Sequence, residues 1–353
     1  MPALWATQWT LSCEDHRSGT ARPRTADTTP TPPDSVAAMV ERKRSDLKKK
    51  HENRRSMRIL TIIVTYNGMR WMQQCLQSLR DSEVQTDIYV IDNGSTDGTQ
   101  AFIREHFPEA VMVQNARNEG FGRANNRGFR YALDHAYDYV YLLNEDAWIM
   151  PSTLGRLTAC HRSHPEYGLL SPAQWQADGK ALDCNFLKGP CSQNPRLQDD
   201  LLAGSFREEV YTVETVMAAH WLLPVSTIRK IGFFSPTYPH YGEDDDYTAR
   251  LRFHGLQAGV VMSAQAVHDR QHRQESREQL FYMHYIRMLK LFSNPSLSLG
   301  RAWYRCIGDT LKAIHRHRSL RPVGNVAKVL KQWHTIRRNR LISIHQKGDF
   351  PTA

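Results

Sequence analysis

The sequence predicts an α/β protein with a Rossmann-like, mostly parallel sheet flanked by helices, and two observations lead to this prediction. Short apolar runs rich in β-branched residues alternate with segments of helical spacing between residues 58 and 146. Each apolar run ends in a short polar loop, which is typical of buried parallel strands. Strands that alternate with helices in this way form a doubly wound sheet with right-handed crossovers.

Four strands and three helices are predicted in this first part of the chain. The run ILTIIV is the first strand, and its continuous apolar character indicates burial on both faces. The segment after it has helical spacing, because Met72, Cys75 and Leu79 recur three and four positions apart. The predicted strands are 59–64, 87–91, 110–114 and 139–143, and the predicted helices are 69–82, 96–107 and 120–137.

The second part of the chain has weaker patterning. Residues 176–215 hold several glycines and prolines and few periodic residues, so we predict irregular chain with a hairpin there. The other predicted elements are a helix over 153–164, a strand over 168–174, helices over 225–231 and 247–254, and a strand over 257–262. Amphipathic, basic helices are predicted over 275–292, 299–317 and 323–337, so the chain ends in a helical basic segment.

The formal net charge of +10 is unevenly distributed along the 353 residues. Residues 1–56 carry +4, residues 57–269 carry −7 and residues 270–353 carry +13. Because the middle is acidic, a basic nucleic-acid-binding domain is disfavoured, and we expect no nucleic-acid partner. We predict three parts with these same boundaries: an N-terminal extension, a catalytic domain and a basic helical C-terminal segment.

The N-terminal extension combines a Pro- and Thr-rich stretch with a dense run of charge. Such a composition cannot bury a hydrophobic core. Two interpretations stay open for it: residues 1–56 are disordered, or they are translated from upstream of a natural start at Met57.

Cysteine usage and hydropathy predict a reduced, cytoplasmic protein. No CxxC pair occurs among the six cysteines, so neither a zinc ribbon nor a disulfide framework is expected. No apolar run approaches the ~18 residues of a membrane span, and the N-terminus lacks an apolar signal core. Residues 270–353 mix aromatic residues with cations. They fit either a peripheral anchor on the inner face of the plasma membrane or a solvated helical face packed on the body.

Polar loops follow the four predicted strands and form the first candidate site. Ligands of a doubly wound sheet bind at the carboxyl ends of its strands. Neither a GxGxxG motif nor a P-loop is present, which disfavours a dinucleotide-dependent oxidoreductase or a P-loop NTPase. The carboxylates predict a nucleotide held through its base and ribose, with Mg²⁺ or Mn²⁺ on its phosphates and Asp146 as an oxygen ligand. Turn and helix-capping roles are the structural alternative for each loop taken alone.

Four consecutive carboxylates, Glu243 to Asp246, form the second candidate site. When carboxylates pack together, some have raised pKa values, and one of them can act as the general base for an attacking hydroxyl. The alternative is a solvated helix N-terminus, where the helix dipole favours acidic residues. His268 is a third candidate, either as a structural histidine or as a metal ligand.

Five stretches in order, together with His268, resemble the family 2 glycosyltransferases, and most closely the rhamnosyltransferase-like branch that builds bacterial surface polysaccharides. The stretches are ILTIIVTYN, VIDNGSTDGT, NEGFGRANNRGF, YLLNEDAWI and GFFSPTYPHYGEDDDYTARL, and the resemblance covers residues 58 to about 290. It implies a GT-A fold and an inverting glycosyltransferase of hexosyl or rhamnosyl type. It also implies a UDP- or dTDP-sugar donor and a hydroxyl acceptor on a glycan or a lipid-linked glycan, in O-antigen, capsule or LPS biosynthesis.

The resemblance also implies roles for individual residues, with 57–146 as the nucleotide-binding half and 147–269 as the acceptor-binding half. The residues implied to bind the nucleotide sugar are Thr65, Tyr66, Asn67, Asp92, Asn93, Ser95, Asn118, Gly120, Phe121, Asn126, Asn144 and Glu145. Asp146 and His268 are implied as metal ligands, and Asp244 as the catalytic base. Glu243 would orient the acceptor beside the base, with Asp246 and Trp221 on the acceptor side.

Three positions depart from the pattern of the family. Asn144 stands at the first acidic position of the metal motif, Asp245 replaces an aliphatic residue in the acidic run, and Met288 stands where relatives often carry Asn. The alternative function is a catalytically silent nucleotide-sugar-binding protein of the same fold. The joint presence of Asp146, Asp244 and His268 argues against it.

Overall fold

The computed structural model describes residues 57–270 and 276–345, and the strands of these residues form one nine-stranded mixed sheet. The strands are β1 (Ile59–Thr65), β2 (Asp87–Asp92), β3 (Val111–Gln114), β4 (Tyr139–Asn144), β5 (Ala147–Ile149), β6 (Tyr167–Trp175), β7 (Tyr211–Val213), β8 (His220–Pro224) and β9 (Gln257–His268). Their order is β3-β2-β1-β4-β8-β6-β9-β5, with β7 paired to β9. Six of the nine run in one direction, and β5, β7 and β8 run against them.

The helices of the described residues cover both faces of the sheet and form the C-terminal segment. They are α1 (Met69–Arg80), α2 (Thr99–His106), α3 (Phe121–Asp134), α4 (Thr153–Ser163), α5 (Cys184–Phe186), α6 (Pro195–Ala203), α7 (Val225–Ile231), α8 (Glu243–Phe253), α9 (Arg277–Ser293), α10 (Leu299–His317), α11 (Arg321–Lys331) and α12 (Trp333–His345). The alternating strands and helices predicted for residues 58–146 are confirmed, with ends that differ by a few residues.

The sheet has a hydrophobic core on each face, because successive side chains of a strand point to opposite sides. Ile62 of β1 packs with Phe129 of α3 in one core, and Ile63 packs with Met72 of α1 in the other. The α3 helix crosses β1 at Gly128, where an added Cβ would come within 2.5 Å of the Ile62 side chain. A residue without a side chain therefore lets this helix approach the strand closely.

Several predictions for the second part of the chain were wrong. Residues 176–215 are not irregular throughout, since they hold α5, a π-helical turn (Leu187–Cys191), α6 and β7. A short hairpin is present at their start, where Trp175 and Leu182 form an antiparallel bridge. The strands β5 and β8 were not predicted. The β9 strand extends to His268, six residues beyond the predicted end. The α8 helix begins at Glu243 rather than at residue 247, because Gly242 caps it at φ +90° and four acidic residues fill its first turn, where the helix dipole favours them.

The four C-terminal helices build a third hydrophobic cluster that includes Tyr238 from the sheet part of the chain. Asn339 Nδ2 donates to Thr237 Oγ1 at 2.9 Å, and the His254 ring contacts the Ser343 carbonyl at 2.8 Å. The single helix predicted over 323–337 is two helices, since α11 ends at Lys331 and α12 begins at Trp333. Among the described residues, no helix is both long enough and apolar enough to cross a membrane.

Two further features concern the N-terminal extension and the cysteines. The prediction that residues 1–56 are disordered or do not belong to the natural protein lies outside the described residues. The cysteines of the described part, Cys75, Cys160, Cys184, Cys191 and Cys306, are all free thiols.

Candidate active site

The loops after β1 and β2 are hydrogen-bonded to each other at the carboxyl edge of the sheet. The Asn67 amide donates to Ser95 Oγ at 2.8 Å, and the Thr96 amide donates to Asn67 Oδ1 at 2.8 Å. Asn67 adopts a left-handed conformation with φ 57°, which Asn tolerates better than most residues. Thr65, Tyr66, Asn67 and Ser95 are thus brought to one place, as the sequence predicted for parallel strands.

Asp92 and Asn93 order the loop after β2 from inside it. The Asp92 carboxylate is fully buried and accepts from the Gly94 and Ser95 amides and from Gln100 Nε2. Asn93 Oδ1 accepts from Asn115 Nδ2 at 2.8 Å, which ties this loop to the chain after β3. A carboxylate that accepts several N–H groups fixes a loop conformation, so in this structure Asp92 shapes the site from beneath.

Glu145 faces β1 rather than open solvent. Its Oε2 accepts from Thr65 Oγ1 at 2.6 Å and from the Tyr66 amide at 2.9 Å. Burial raises the pKa of Glu145 to about 7. An added Cβ at Gly68 would lie 2.2 Å from Glu145 Oε2, so this glycine makes room for the carboxylate. Glu145 therefore fastens the end of β4 to the loop after β1.

The loop before α3 contacts the segment that leads into the acidic helix α8. Gly120 has φ +85°, and an added Cβ there would meet the Pro239 carbonyl at 2.7 Å. Asn118 Oδ1 accepts from the Gly120 amide at 2.9 Å and holds this turn. Asn126 exchanges two hydrogen bonds with the Phe234 backbone, at 2.8 and 3.0 Å. The two candidate sites of the sequence are thus neighbours.

Asp146 and His268 face each other although 122 positions separate them. The short strand β5 pairs antiparallel with β9, and Ala147 lies opposite His268 in that pairing. Asp146 Oδ1 is 3.3 Å from His268 Nε2, and the His268 side chain is only 4% exposed. Burial works against ionisation of Asp146, but the hydrogen bond and charge of His268 outweigh it and lower the pKa of this carboxyl.

The donor atoms of this pair suit a divalent cation. Ligands at adjacent corners of an octahedral Mg²⁺ site lie about 3 Å apart, because each bond measures about 2.1 Å. No cluster of three or more potential protein ligands occurs among residues 57–270 and 276–345. A small set of protein ligands is compatible with such a site, because Mg²⁺ is usually bound through only one or two carboxylates, with waters and substrate phosphates completing its shell.

Two residues that the sequence interpretation missed flank this pair. Arg270 Nη2 is 3.3 Å from His268 Nδ1, and its Nε is 3.4 Å from the buried carboxylate of Asp183. A cavity of about 220 Å³ lies beside them.

His220 is fully buried between Tyr141 Oη and the Val267 carbonyl. Burial, followed by the charge of His268, lowers the pKa of His220 to about 3. His220 is therefore neutral, and it supports the floor of the site.

The acidic helix α8 carries two carboxyl groups with raised pKa values. Burial, reinforced by the neighbouring Asp245, raises the pKa of Asp244 to about 6. Burial raises the pKa of Glu243 to about 8, and Glu243 Oε2 has no hydrogen-bond partner in the described part of the chain. Of the two carboxyl groups, Glu243 is therefore the harder to ionise. A carboxylate with a pKa just below the working pH has the properties of a general base.

The other two acidic residues of α8 are held by cations. Asp245 Oδ2 contacts Lys290 Nζ of α9 at 2.5 Å and Asp245 Oδ1 accepts from Thr215 Oγ1. Asp246 forms a buried ion pair with Arg250, at 2.8 Å from Nε. The pattern of the sequence contained no signal for Lys290, because its contact depends on how α9 packs on α8. The Asp246 carboxylate is thus paired with Arg250 inside the protein.

Trp221, which we predicted on the acceptor side, lies in the core. Its side chain is fully buried, its indole N–H donates to the Val216 carbonyl, and its ring stacks on Phe234. In this structure Trp221 supports the site from within. The Cys75 thiol donates a hydrogen bond of 3.6 Å to the backbone carbonyl of Asn144, at the end of β4.

Comparison with known proteins gives a family match over part of the chain and a fold. Residues 61–171 match the model of Glycosyl transferase family 2. The crystal structure of GalNAc-T7 with UDP, GalNAc and Mn²⁺ has a TM-score of 0.50 against this chain at 14% identity, covering 68% of this chain and 51% of that one. The mostly parallel α/β sheet with its flanking helices is thereby assigned to the GT-A fold.

Two curated relatives are similar in sequence. An undecaprenyl-phosphate mannosyltransferase of Micrococcus luteus is 33% identical over 110 residues, which is 30% of this chain and 45% of that protein. An N-acetylglucosaminyl-diphospho-decaprenol L-rhamnosyltransferase of Mycobacterium tuberculosis is 25% identical over 232 residues, which is 60% of this chain and 76% of that protein. The chain thus spans less than half the length of the first relative and about three quarters of the second.

Proposed function

Because residues 61–171 match the model of Glycosyl transferase family 2, we propose that the chain transfers a sugar from a nucleoside-diphosphate sugar to an acceptor hydroxyl with inversion at the anomeric carbon. One observation carries the proposal. The chain places a carboxylate–histidine pair at one end of the site and a carboxylate of raised pKa on the neighbouring helix α8. The first suits a diphosphate leaving group, and the second suits a hydroxyl nucleophile.

Asp244 is the proposed base. As the acceptor hydroxyl attacks the anomeric carbon, Asp244 takes its proton, and the glycosidic bond to the diphosphate breaks on the opposite face. The pKa of about 6 keeps this carboxylate ionised at neutral pH while leaving it basic enough to accept a proton. Glu243, neutral at the same pH, would donate a hydrogen bond to the acceptor from the adjacent position.

The leaving group gains negative charge on its diphosphate as the bond breaks. Asp146 and His268 would hold Mg²⁺ or Mn²⁺ there, and such an ion supplies Lewis-acid stabilisation of that charge. Arg270 stands beside His268 and would add a cation near the same phosphates. The loops that contain Asn67, Ser95 and Asn118 would surround the nucleotide, which makes residues 57–146 the nucleotide-binding half and 147–269 the acceptor-binding half.

The acceptor is proposed to be a lipid-linked glycan of cell-surface polysaccharide synthesis, and the donor a UDP- or dTDP-linked hexose or rhamnose. The names of the relatives support this, since both include a polyprenyl-linked compound and a hexosyl or rhamnosyl transfer. The resemblance of the sequence to the rhamnosyltransferase-like branch points the same way. A cytoplasmic location at the inner face of the plasma membrane is part of this proposal, because nucleotide sugars and lipid-linked acceptors meet there.

The experiment is a donor screen followed by a transfer assay with the full chain. Nucleotide sugars with Mn²⁺ are tested for an increase in melting temperature, since a ligand that binds only the folded state stabilises it. The donor that binds is then tested with polyprenyl-diphosphate-linked acceptors, and the anomeric configuration of the product is read by NMR. A retained configuration would contradict the inverting mechanism.

A matched pair of variants assigns the base. Asp244→Asn is expected to keep donor binding and to lose transfer by about 10²–10⁴-fold, which is the contribution of a general base. Asp134→Asn removes an exposed carboxylate at the end of α3 and is expected to leave transfer unchanged. Near-normal transfer by Asp244→Asn would remove Asp244 as the base. Donor binding by the unmodified chain without transfer to any acceptor would favour the catalytically silent alternative.

A further inference from the structure

The α10 helix has an apolar stripe on its exposed face as well as on its buried face. Tyr304, Ile307 and Leu311 are 81%, 56% and 61% exposed, and their spacing of three and four residues places them on one side of the helix. Ala302 and Cys306 are buried in the C-terminal cluster on another side. A helix that packs on a protein by one face normally presents polar residues on the opposite one, so the second stripe needs a separate explanation.

The α11 helix, which contacts α10, repeats this arrangement. Leu320, the N-cap residue of α11, is 74% exposed, and Val323 and Leu330 within the helix are 49% and 53% exposed, at intervals that share one helix face. Val329 on another face is buried in the same C-terminal cluster. We call the exposed side chains Tyr304, Ile307, Leu311, Leu320, Val323 and Leu330 the apolar ridge.

Cations surround the apolar ridge. Residues 299–345 contain eleven Lys and Arg and one acidic residue, Asp309. Arg305, Lys312 and Arg316 are exposed and follow the ridge residues of α10 by one to five positions in sequence, so they flank the ridge. An exposed apolar stripe bordered by Lys and Arg, with an aromatic residue in it, is the pattern of a helix that lies in a membrane interface.

We propose that the apolar ridge and its flanking cations dock on an anionic phospholipid bilayer. The charge favours this occupant. Ten of the eleven cations are exposed, since only Arg340 is buried, and together with one carboxylate they complement acidic headgroups. The apolar side chains reach the acyl boundary, which a nucleic acid lacks. Amphipathic helices of this kind lie in the plane of the interface rather than across the bilayer. This inference depends on the proposed function in one respect only: the docking surface would bring the enzyme to a lipid-linked acceptor.

The docked helices are connected to the candidate base through α9. The Lys290 ammonium of α9 holds Asp245 at 2.5 Å, and Tyr282 of the same helix donates to the His240 carbonyl at 2.9 Å. Both α10 and α11 pack on α9. A bilayer that binds the apolar ridge therefore sits against the same helical unit that contacts the α8 end of the active site.

Vesicle sedimentation of the full chain tests this surface without any donor sugar. The chain is expected to sediment with phosphatidylcholine vesicles that contain phosphatidylglycerol, to remain free with phosphatidylcholine alone, and to dissociate as salt rises. Leu311→Asp is expected to weaken vesicle binding by about tenfold or more, since burying one leucine contributes at least that factor. The matched control is Leu202→Asp, because Leu202 is 89% exposed on α6, outside the ridge, and it should bind like the unmodified chain.

Two double variants measure the contribution of the cations to vesicle binding separately from that of the apolar side chains. Lys312→Gln with Arg316→Gln is expected to lower affinity about 25-fold, since each cation near an anionic surface contributes about fivefold. Arg229→Gln with Lys230→Gln removes the same charge from the exposed face of α7 and should have a much smaller effect. All four positions are exposed, so circular dichroism is expected to show folded variants.

Three results would overturn the proposal: equal binding to neutral and anionic vesicles, no binding to either, or unaltered binding of Leu311→Asp. A lipid-free dimer that dissociates in Leu311→Asp would assign the apolar ridge to a second copy of this chain instead. Failure of the proposed function is recognised separately, because a chain that sediments with vesicles but transfers no sugar keeps the docking surface and loses only the enzymatic assignment.

Discussion

Replacing Arg250 by Met is expected to destabilise the fold more than most single substitutions. The Arg250 and Asp246 side chains are 0% and 1% exposed and lie 2.8 Å apart. The same guanidinium donates to the Ile231 carbonyl at 3.0 Å and to the Phe233 carbonyl at 2.8 Å, and it lies over the Tyr247 ring. One side chain thus joins α8 to the last residue of α7 and to the chain that follows it.

The expected loss of stability follows from the groups that lose their partner when Arg250 is replaced. A thioether in place of the guanidinium would leave the Asp246 carboxylate buried without its cation, and removal of one partner of a buried pair costs about 3–5 kcal/mol. Two backbone carbonyls would also lose their donors, which accounts for part of that sum at about 1 kcal/mol each. We expect the free energy of unfolding to fall by about 4 kcal/mol. Arg250→Lys keeps the charge but loses the forked donors, and about half of that loss is expected.

The assay is urea unfolding followed by tryptophan fluorescence. Trp221 is a suitable reporter, because it is fully buried and its ring centroid lies 5.8 Å from that of Tyr247, the neighbour of the pair. Arg252→Met, on the exposed side of the same helix, is the control and should change stability by less than about 0.5 kcal/mol. A loss below about 1 kcal/mol for Arg250→Met would refute the reasoning. If that variant does not fold, the Lys substitution still decides the question.

Three further predictions address the pH response, the packing and the metal site. Transfer activity should fall about tenfold per pH unit below pH 6, because Asp244 is protonated there. The Lys290 ammonium lowers the pKa of Asp244, so Lys290→Met should move this acidic decline in activity to higher pH. A pH profile of kcat/KM that does not shift in Lys290→Met would contradict this. Gly128→Ala should cost about 1–3 kcal/mol by crowding β1, whereas Gly300→Ala, with open space around its Cβ position, should be neutral or slightly stabilising in a thermal melt. His268→Ala should lose the Mn²⁺-dependent part of donor stabilisation in the same melt, and an unchanged Mn²⁺ response would argue against His268 as a ligand.

The first four strands and their loops were predictable because each of their signals is local. The run ILTIIV predicts a buried strand wherever it stands, and the periodic spacing of Met72, Cys75 and Leu79 predicts a helix that covers it. Parallel strands align their carboxyl ends, so Asp92 and Asp146 could be assigned to one edge of the sheet from the order of the strands alone. The acidic run from Glu243 likewise marked a site through its composition.

Tertiary structure decided which of these residues remain available for chemistry. Glu145, Asp92 and Asp246 look alike in a sequence, yet the first fastens a strand end, the second orders a loop and the third pairs with Arg250 inside the core. Trp221 illustrates the same limit, since an aromatic residue near an acidic cluster is predicted equally well at a surface or in a core. Burial and hydrogen-bond partners separate these roles, and neither is a local property of the chain.

The sequence by itself determined the fold class, a resemblance to one glycosyltransferase family and the carboxylates that are candidates for chemistry. Only the packing of distant segments determined that β5 meets β9, so that Asp146 faces His268, and that α9 meets α8, so that Lys290 reaches Asp245. The outward direction of the apolar ridge was decided in the same way, because α10 and α11 have apolar residues on more than one face. The physical reason is common to all three: side-chain spacing is a property of the segment, whereas the choice of contacting partner is made by the whole folded chain.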